Sequence, residues 1–141
     1  APAKKSTTKS VGGIALGLAL ADGLLGLTDP AAMHLAGLGL PANTGNPQLA
    51  NITILQLATH IAGFEKKGVD PLLEGTPGER WLYSDGGVNW LADVLTQVFA
   101  DDLNTELKTR VWDVLKITPD DLTWRLRDDP GDGHPGGGWA A

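Results

Sequence analysis

Apolar residues run almost unbroken from Val11 to Ala21, and the stretch over residues 6–25 reads as a helix apolar on most sides, hence a central one. Gly12, Gly13 and Gly17 lie inside it, each costing about 1 kcal/mol relative to alanine, which points to a second backbone packed close against them. Leu27-Thr28-Asp29-Pro30 then restarts a helix over residues 31–36, with Thr28 or Asp29 as cap and Pro30 in the first turn. Residues 37–50 are rich in turn formers and read as a surface connection. Asn51 or Thr53 caps a helix through His60, with Ile54, Leu55, Leu57 and Ala58 as its apolar face and Gly63 as terminator. Residues 65–80 read as loop, closed by a Pro77-Gly78 turn. Val88, Leu91, Leu95 and Val98 fall near helical spacing over residues 87–99. Asp102 or Asn104 opens a further helix to Leu115, with Leu107, Val111, Val114 and Leu115 inward. Two amphipathic helices in succession favour an antiparallel pair.

Strand character is confined to residues 80–83 and 123–127, the latter alternating Trp124 and Leu126 with Arg125 and Arg127. The pattern therefore predicts a mainly α fold with little or no sheet. Its expected core is Leu16, Leu18, Leu20, Leu57, Trp90, Leu91, Leu95, Val111 and Trp112. Residues 1–127 form the expected domain, and residues 128–141, dominated by Asp, Gly and Pro, a flexible tail.

At 141 residues the chain has room for one domain and one main core. A net charge of −6 leaves no basic surface for a phosphate backbone, so nucleic-acid binding is not expected. Without cysteine there is no disulfide, thiolate nucleophile or cysteine-held metal, and His34, His60 and His134 lack metal-ligand spacing, so neither metal nor cofactor is predicted. The run from Val11 to Ala21 is too short for a membrane span. It has an alternative reading as a signal sequence, with Lys4, Lys5 and Lys9 as the basic region and Ala19-Leu20-Ala21 as a small-x-small cleavage site. The first residue, Ala1, reads as that of a chain already processed or cut from something longer.

Ser6-Thr7-Thr8-Lys9 sets a hydroxyl and an amine three residues apart, on one face if helical. A serine hydroxyl becomes a nucleophile when a base takes its proton, and a lysine serves if its surroundings keep it neutral. A helix N-terminus and burial both work in that direction. The plain alternative makes Ser6 a helix cap and Lys9 a solvated first-turn residue. Tyr83, the one tyrosine, lies between a turn and a helix in Pro77-Gly78-Glu79-Arg80-Trp81-Leu82-Tyr83-Ser84-Asp85. Beside Lys9 it would share in removing and returning a proton; alone, it is a partly buried tyrosine with its hydroxyl bonded to backbone.

The order of Ser6-Thr7-Thr8-Lys9, an apolar helix, Leu27-Thr28-Asp29-Pro30, residues 52–63, Pro77-Gly78, Tyr83-Ser84-Asp85 and a long helix resembles the serine β-lactamase and penicillin-binding-protein superfamily. In particular it is similar to the class C-like branch of esterases, D-amino-peptidases and amide hydrolases. The resemblance extends through Ile117 and implies the helical portion of a β-lactamase-like α/β fold. It implies Ser6 as the acylated nucleophile, Lys9 as proton acceptor or relay, Tyr83 as the tyrosine of the second motif, and a small ester or amide as substrate. Asp85 stands where the Tyr-x-Asn motif has its substrate-binding asparagine, and Ala62 stands where the residues around Thr59 and His60 have a serine. His60 is expected to be packed and hydrogen-bonded. A soluble, periplasmic or secreted protein is implied as well. The third motif, Lys or His followed by Ser or Thr and Gly, is missing; His134-Pro135-Gly136 is the nearest, and its proline and glycines suit a strand poorly. The chain thus looks like the nucleophile-bearing helical half of a hydrolase. A non-catalytic alternative is a helical module that associates with itself, or with a sheet-bearing partner, through uncovered apolar surface.

Overall fold

A computed structural model describes residues 5–35, 46–67 and 72–124, and among these there are six α-helices and no strand. They are α1 (Thr8–Ala21), α2 (Ala31–Leu35), α3 (Ile54–Ala58), α4 (Asp85–Phe99), α5 (Leu103–Leu107) and α6 (Asp113–Leu115). Short 3-10 turns at Lys5–Thr7 and Pro47–Asn51 and one π-helical turn at Lys108–Trp112 complete the set. The mainly α architecture expected from the pattern is what the chain adopts. Among the described residues neither stretch with strand character forms a strand: residues 80–83 are irregular and not paired in a ladder, Thr123 and Trp124 are irregular, and pairing is limited to isolated bridges at Pro30–Thr53 and Phe64–Leu73. The tail over 128–141, the domain boundary before it, His134 and residues 125–127 lie outside the described residues, as do 36–45 of the expected connection.

α4 is the centre of the fold, packing against α1, α2, α3 and α5. It is buried from Gly86 to Val88 and again from Trp90 to Leu95. Trp90 meets Phe64 edge to face with centroids 5.0 Å apart. Around these sit Ala15, Leu16 and Ala19 of α1, Ala31 and Leu35 of α2, Ile54 and Leu57 of α3, and Leu103 and Leu107 of α5. α1 turns Ala15, Leu16 and Ala19 to the centre, where all three are buried, while Leu18 and Leu20, also expected in the core, are half-buried. Small side chains let a helix approach its neighbour closely. Of the three glycines expected to meet a second backbone, Gly12 is buried, while Gly13 and Gly17 face open space: apart from their own helix turn, no described atom lies within 4 Å of where a Cβ would be. α1 also ends four residues before the pattern suggested, because Gly23 takes a left-handed φ of 70° and the Leu24 N–H returns to the Ala19 carbonyl at 3.0 Å. Ala15, Leu16 and Ala19 set the segment from Val11 to Ala21 into the core as a helix of the fold.

Caps fix where the remaining helices begin. Thr53 and Gln56 form a reciprocal capping box at α3, and Asp102 accepts the N–H groups of Asn104 and Thr105 at α5. The Asp29 carboxylate, ahead of α2, accepts the Gly26 N–H at 2.7 Å and lies 3.2 Å from His34 Nε2. Beyond Leu107 the π turn adds residues to the helical register. Val111 and Trp112 are therefore half-buried, and Val114 and Leu115 are exposed rather than inward.

Candidate active site

Ser6 lies exposed in the 3-10 turn that leads into α1, and Lys9 follows one turn later, half-buried. Thr8 between them is buried on the core side. The approach of Tyr83 to this turn is set by α3 and the loop after it. His60 closes α3 at a left-handed φ of 60°, and its carbonyl accepts the Leu82 N–H at 2.7 Å. Its ring then serves as a platform: Tyr83 stacks on it with centroids 4.8 Å apart and planes 24° apart, and Trp81 meets its edge at 5.9 Å. Nδ1 of the same ring accepts the Ser84 N–H at 3.2 Å.

Ser84 takes over from there. Its hydroxyl donates to the Glu65 carbonyl at 2.7 Å and accepts the Gly87 N–H at 3.0 Å, so it anchors the loop and caps α4 at once. Asp85 is thereby the first residue of α4, where a carboxylate is favoured by the helix dipole. The sequence pattern started this helix at residue 87, two residues after the observed start at Asp85, because the apolar spacing begins with Val88. Ser84 directly before an acidic residue was the signal that locates the cap.

All four candidate residues come together. Ser6 Oγ and Tyr83 Oη share a hydrogen bond of 2.7 Å. Lys9 Nζ donates to Ser6 Oγ at 3.3 Å, lies 5.0 Å from the centroid of the Tyr83 ring, and pairs with Asp85 Oδ1 at 2.6 Å. The hydroxyl of Ser6 thus has a phenol on one side and an ammonium on the other.

The charge on Lys9 departs from what the sequence suggested. Burial pushes its pKa down, but hydrogen bonds and charge from Asp85, joined by Tyr83, outweigh burial and lift it above the ordinary lysine value of 10.5. The raised value favours the ammonium form of Lys9, opposite to the effect of burial, and the main source is the Asp85 carboxylate. His60 shifts the other way. Burial first, then the charge of Lys9, lower its pKa below 6.5 against a smaller opposing pull from Asp85. A neutral imidazole is what the hydrogen bond into Nδ1 requires.

A cleft of ≈ 180 Å³ lies between Trp112, Ile117, Leu122 and Trp124, and none of the four candidate residues lines it. Among the described residues no group of acidic or histidine side chains is arranged to hold a metal, and no helix is long and apolar enough to cross a membrane.

A family model described as Beta-lactamase matches residues 5–141. No curated protein matches the sequence. Among solved structures, the chain is similar to Simvastatin Synthase (LovD) from Aspergillus terreus, in the form of the LovD9 mutant, with a TM-score of 0.65 and 22% identity. The match covers 91% of this chain and 44% of that one, so the chain spans less than half the length of that structure. At this identity the likeness is one of fold.

Proposed function

The chain belongs to the Beta-lactamase family, and on that footing we propose that it carries the acylation half of a serine hydrolase acting on small esters or amides. The observation that supports this best is the 2.7 Å hydrogen bond between Ser6 Oγ and Tyr83 Oη, with Lys9 Nζ in contact with the same hydroxyl. Ser6 is the nucleophile. Since Lys9 is held as an ammonium ion, the proton of Ser6 passes to Tyr83, which acts in its phenolate form, and Lys9 offsets the negative charge that moves between the two oxygens. As Oγ bonds to the acyl carbon, the leaving alcohol or amine departs with the proton returned by Tyr83. Water then cleaves the serine ester by the same route in reverse.

The oxyanion formed in each step needs donors, and the sheet edge that the third motif would supply is absent from the described residues. Each missing donor costs about 10²–10³ in rate, so the chain by itself acylates slowly. Incubation with a fluorophosphonate, followed by intact mass and peptide mapping, is the test. One adduct on Ser6, lost in Ser6→Ala, is expected; absence of an adduct under conditions that label a complete relative overturns the reading.

A second reading is supported by the uncovered surface. Gly13 and Gly17 face open space, and Ile14, Met33, Val114 and Leu115 are exposed, in a chain that spans 44% of its structural neighbour. On this reading the chain is a helical module that associates with itself or with a sheet-bearing segment. Sedimentation of a single monomeric species at high concentration overturns self-association.

A further inference from the structure

His60 stands at a φ of 60°, a left-handed backbone that is costly for a residue with a side chain and persists where its surroundings over-determine it. They do so here. The Leu82 N–H donates to the His60 carbonyl at 2.7 Å, and the Gly78 N–H donates to the next carbonyl, that of Ile61, at 2.7 Å, so the backbone is fixed without help from the ring. The ring in turn touches both halves of the site. One half is Tyr83, which stacks on it with centroids 4.8 Å apart and whose hydroxyl meets Ser6 Oγ at 2.7 Å. The other is Ser84, whose N–H donates to Nδ1 at 3.2 Å and whose hydroxyl caps α4, the helix that begins with Asp85, the partner of Lys9. Nδ1 accepts only while it carries no proton. The charged and titratable groups that reach the ring are Lys9 from α1, Asp85 from α4 and Tyr83 from the loop before it.

We propose that His60 is a positioning residue for the acylation of Ser6: its uncharged ring holds Tyr83 against the serine hydroxyl and Asp85 against Lys9, and a proton on the ring switches acylation off. This rests on the reading of Ser6 as the nucleophile. A proton on Nδ1 sets two donors against each other, Nδ1–H and the Ser84 N–H, and brings a second positive charge near that of Lys9. A cation beside the Tyr83 ring is attracted to it, but Lys9 Nζ, 5.0 Å from the ring centroid, already makes that contact. Burial, then the charge of Lys9, hold the pKa of His60 below 6.5, so the ring is uncharged at neutral pH and takes up its proton in mild acid.

The test is the rate at which p-nitrophenyl acetate acetylates Ser6, read by peptide mass from about pH 5 to about pH 8 in wild type and in His60→Asn. In this step the Oγ–carbon bond forms, p-nitrophenolate leaves as the anion, and the serine proton goes to Tyr83. Asparagine tolerates the left-handed backbone and keeps an acceptor, but does not titrate. The ratio of wild-type to variant rate is expected to be level above about pH 7 and to fall below 6.5, approaching about tenfold per pH unit, the slope of one proton. Tyr83 is the one tyrosine, so an isotope-labelled tyrosine reports its ring alone. In wild type its NMR signal is expected to shift with the same midpoint, a measurement that needs no variant. A flat ratio in proteins that are acetylated, or a Tyr83 signal that does not move as His60 titrates, overturns the role of His60. If Ser6 is acetylated in neither protein at any pH, the nucleophile reading falls and takes this role with it.

Discussion

Lys9 Nζ lies 2.6 Å from Asp85 Oδ1, so the first turn of α1 and the first turn of α4 are joined by opposite charges at the place where Ser6 and Tyr83 meet. The pairing has a definite pH signature. A lysine whose pKa is raised on folding contributes stability that is fully present below its unfolded value of 10.5 and lost as the pH climbs through the higher folded value. The difference in melting temperature between wild type and Lys9→Met is therefore expected to stay level from neutral pH to about 10 and to shrink above 10.5. With Asp85 partly exposed, solvent screening holds the pair to about 0.5–1 kcal/mol. A difference that shrinks on acidification instead would assign the effect to another group.

Tyr83→Phe keeps the ring stacked on His60 and removes the hydroxyl that faces Ser6. Acylation of Ser6 is expected to slow by about 10²–10⁴, the usual worth of a positioned proton acceptor, with thermal stability changed by less than about 1 kcal/mol. Stopped-flow release of p-nitrophenolate together with a melting curve separates the two effects. Equal loss of both would make the tyrosine a packing residue.

His60 supports the site as a neutral ring, and acid should expose that. Its folded pKa is lowered from 6.5, so its contribution is present above 6.5 and is lost as the pH falls through the lower folded value. Protonation also removes the acceptor for the Ser84 N–H. Wild-type stability is expected to drop on acidification below about 6.5 more steeply than that of His60→Asn, because asparagine tolerates the left-handed backbone and does not titrate. Urea melts across this range provide the measurement.

Gly63 holds a φ of 85°, and a Cβ there would run into the Gly75 carbonyl oxygen. The Glu74 and Gly75 N–H groups both donate to the Gly63 carbonyl, at 2.8 and 3.0 Å, which leaves that backbone little room to retreat. Gly63→Ala is expected to destabilise the fold by at least about 2 kcal/mol, and to loosen the loop that carries Tyr83. A denaturation midpoint close to wild type would contradict the close approach.

Much of this was legible in the chain. The helical spacing of Val88, Leu91 and Leu95 marks the buried side of α4, and Thr53 and Asp102 announce the caps they form. What escaped depends on register or on distance. Val114 and Leu115 look inward on a regular helical period, but the π turn after Leu107 shifts the faces. Gly13 and Gly17 look like contact points, yet glycine composition alone does not say whether anything covers a helix. The charge of Lys9 is fixed by Asp85, a residue far along the chain that only the His60 platform and the Ser84 cap bring to it. Proximity in sequence made Ser6 and Lys9 a pair; the fold makes Lys9 a cation and leaves Tyr83 beside the serine hydroxyl.

The most direct measurement is the site of acylation after brief exposure of the whole chain to p-nitrophenyl acetate. One acetyl group on Ser6, formed together with one equivalent of p-nitrophenolate and suppressed in both Ser6→Ala and Tyr83→Phe, is the predicted result. Acetyl groups scattered over surface lysines, in amounts that Tyr83→Phe leaves unchanged, would contradict it.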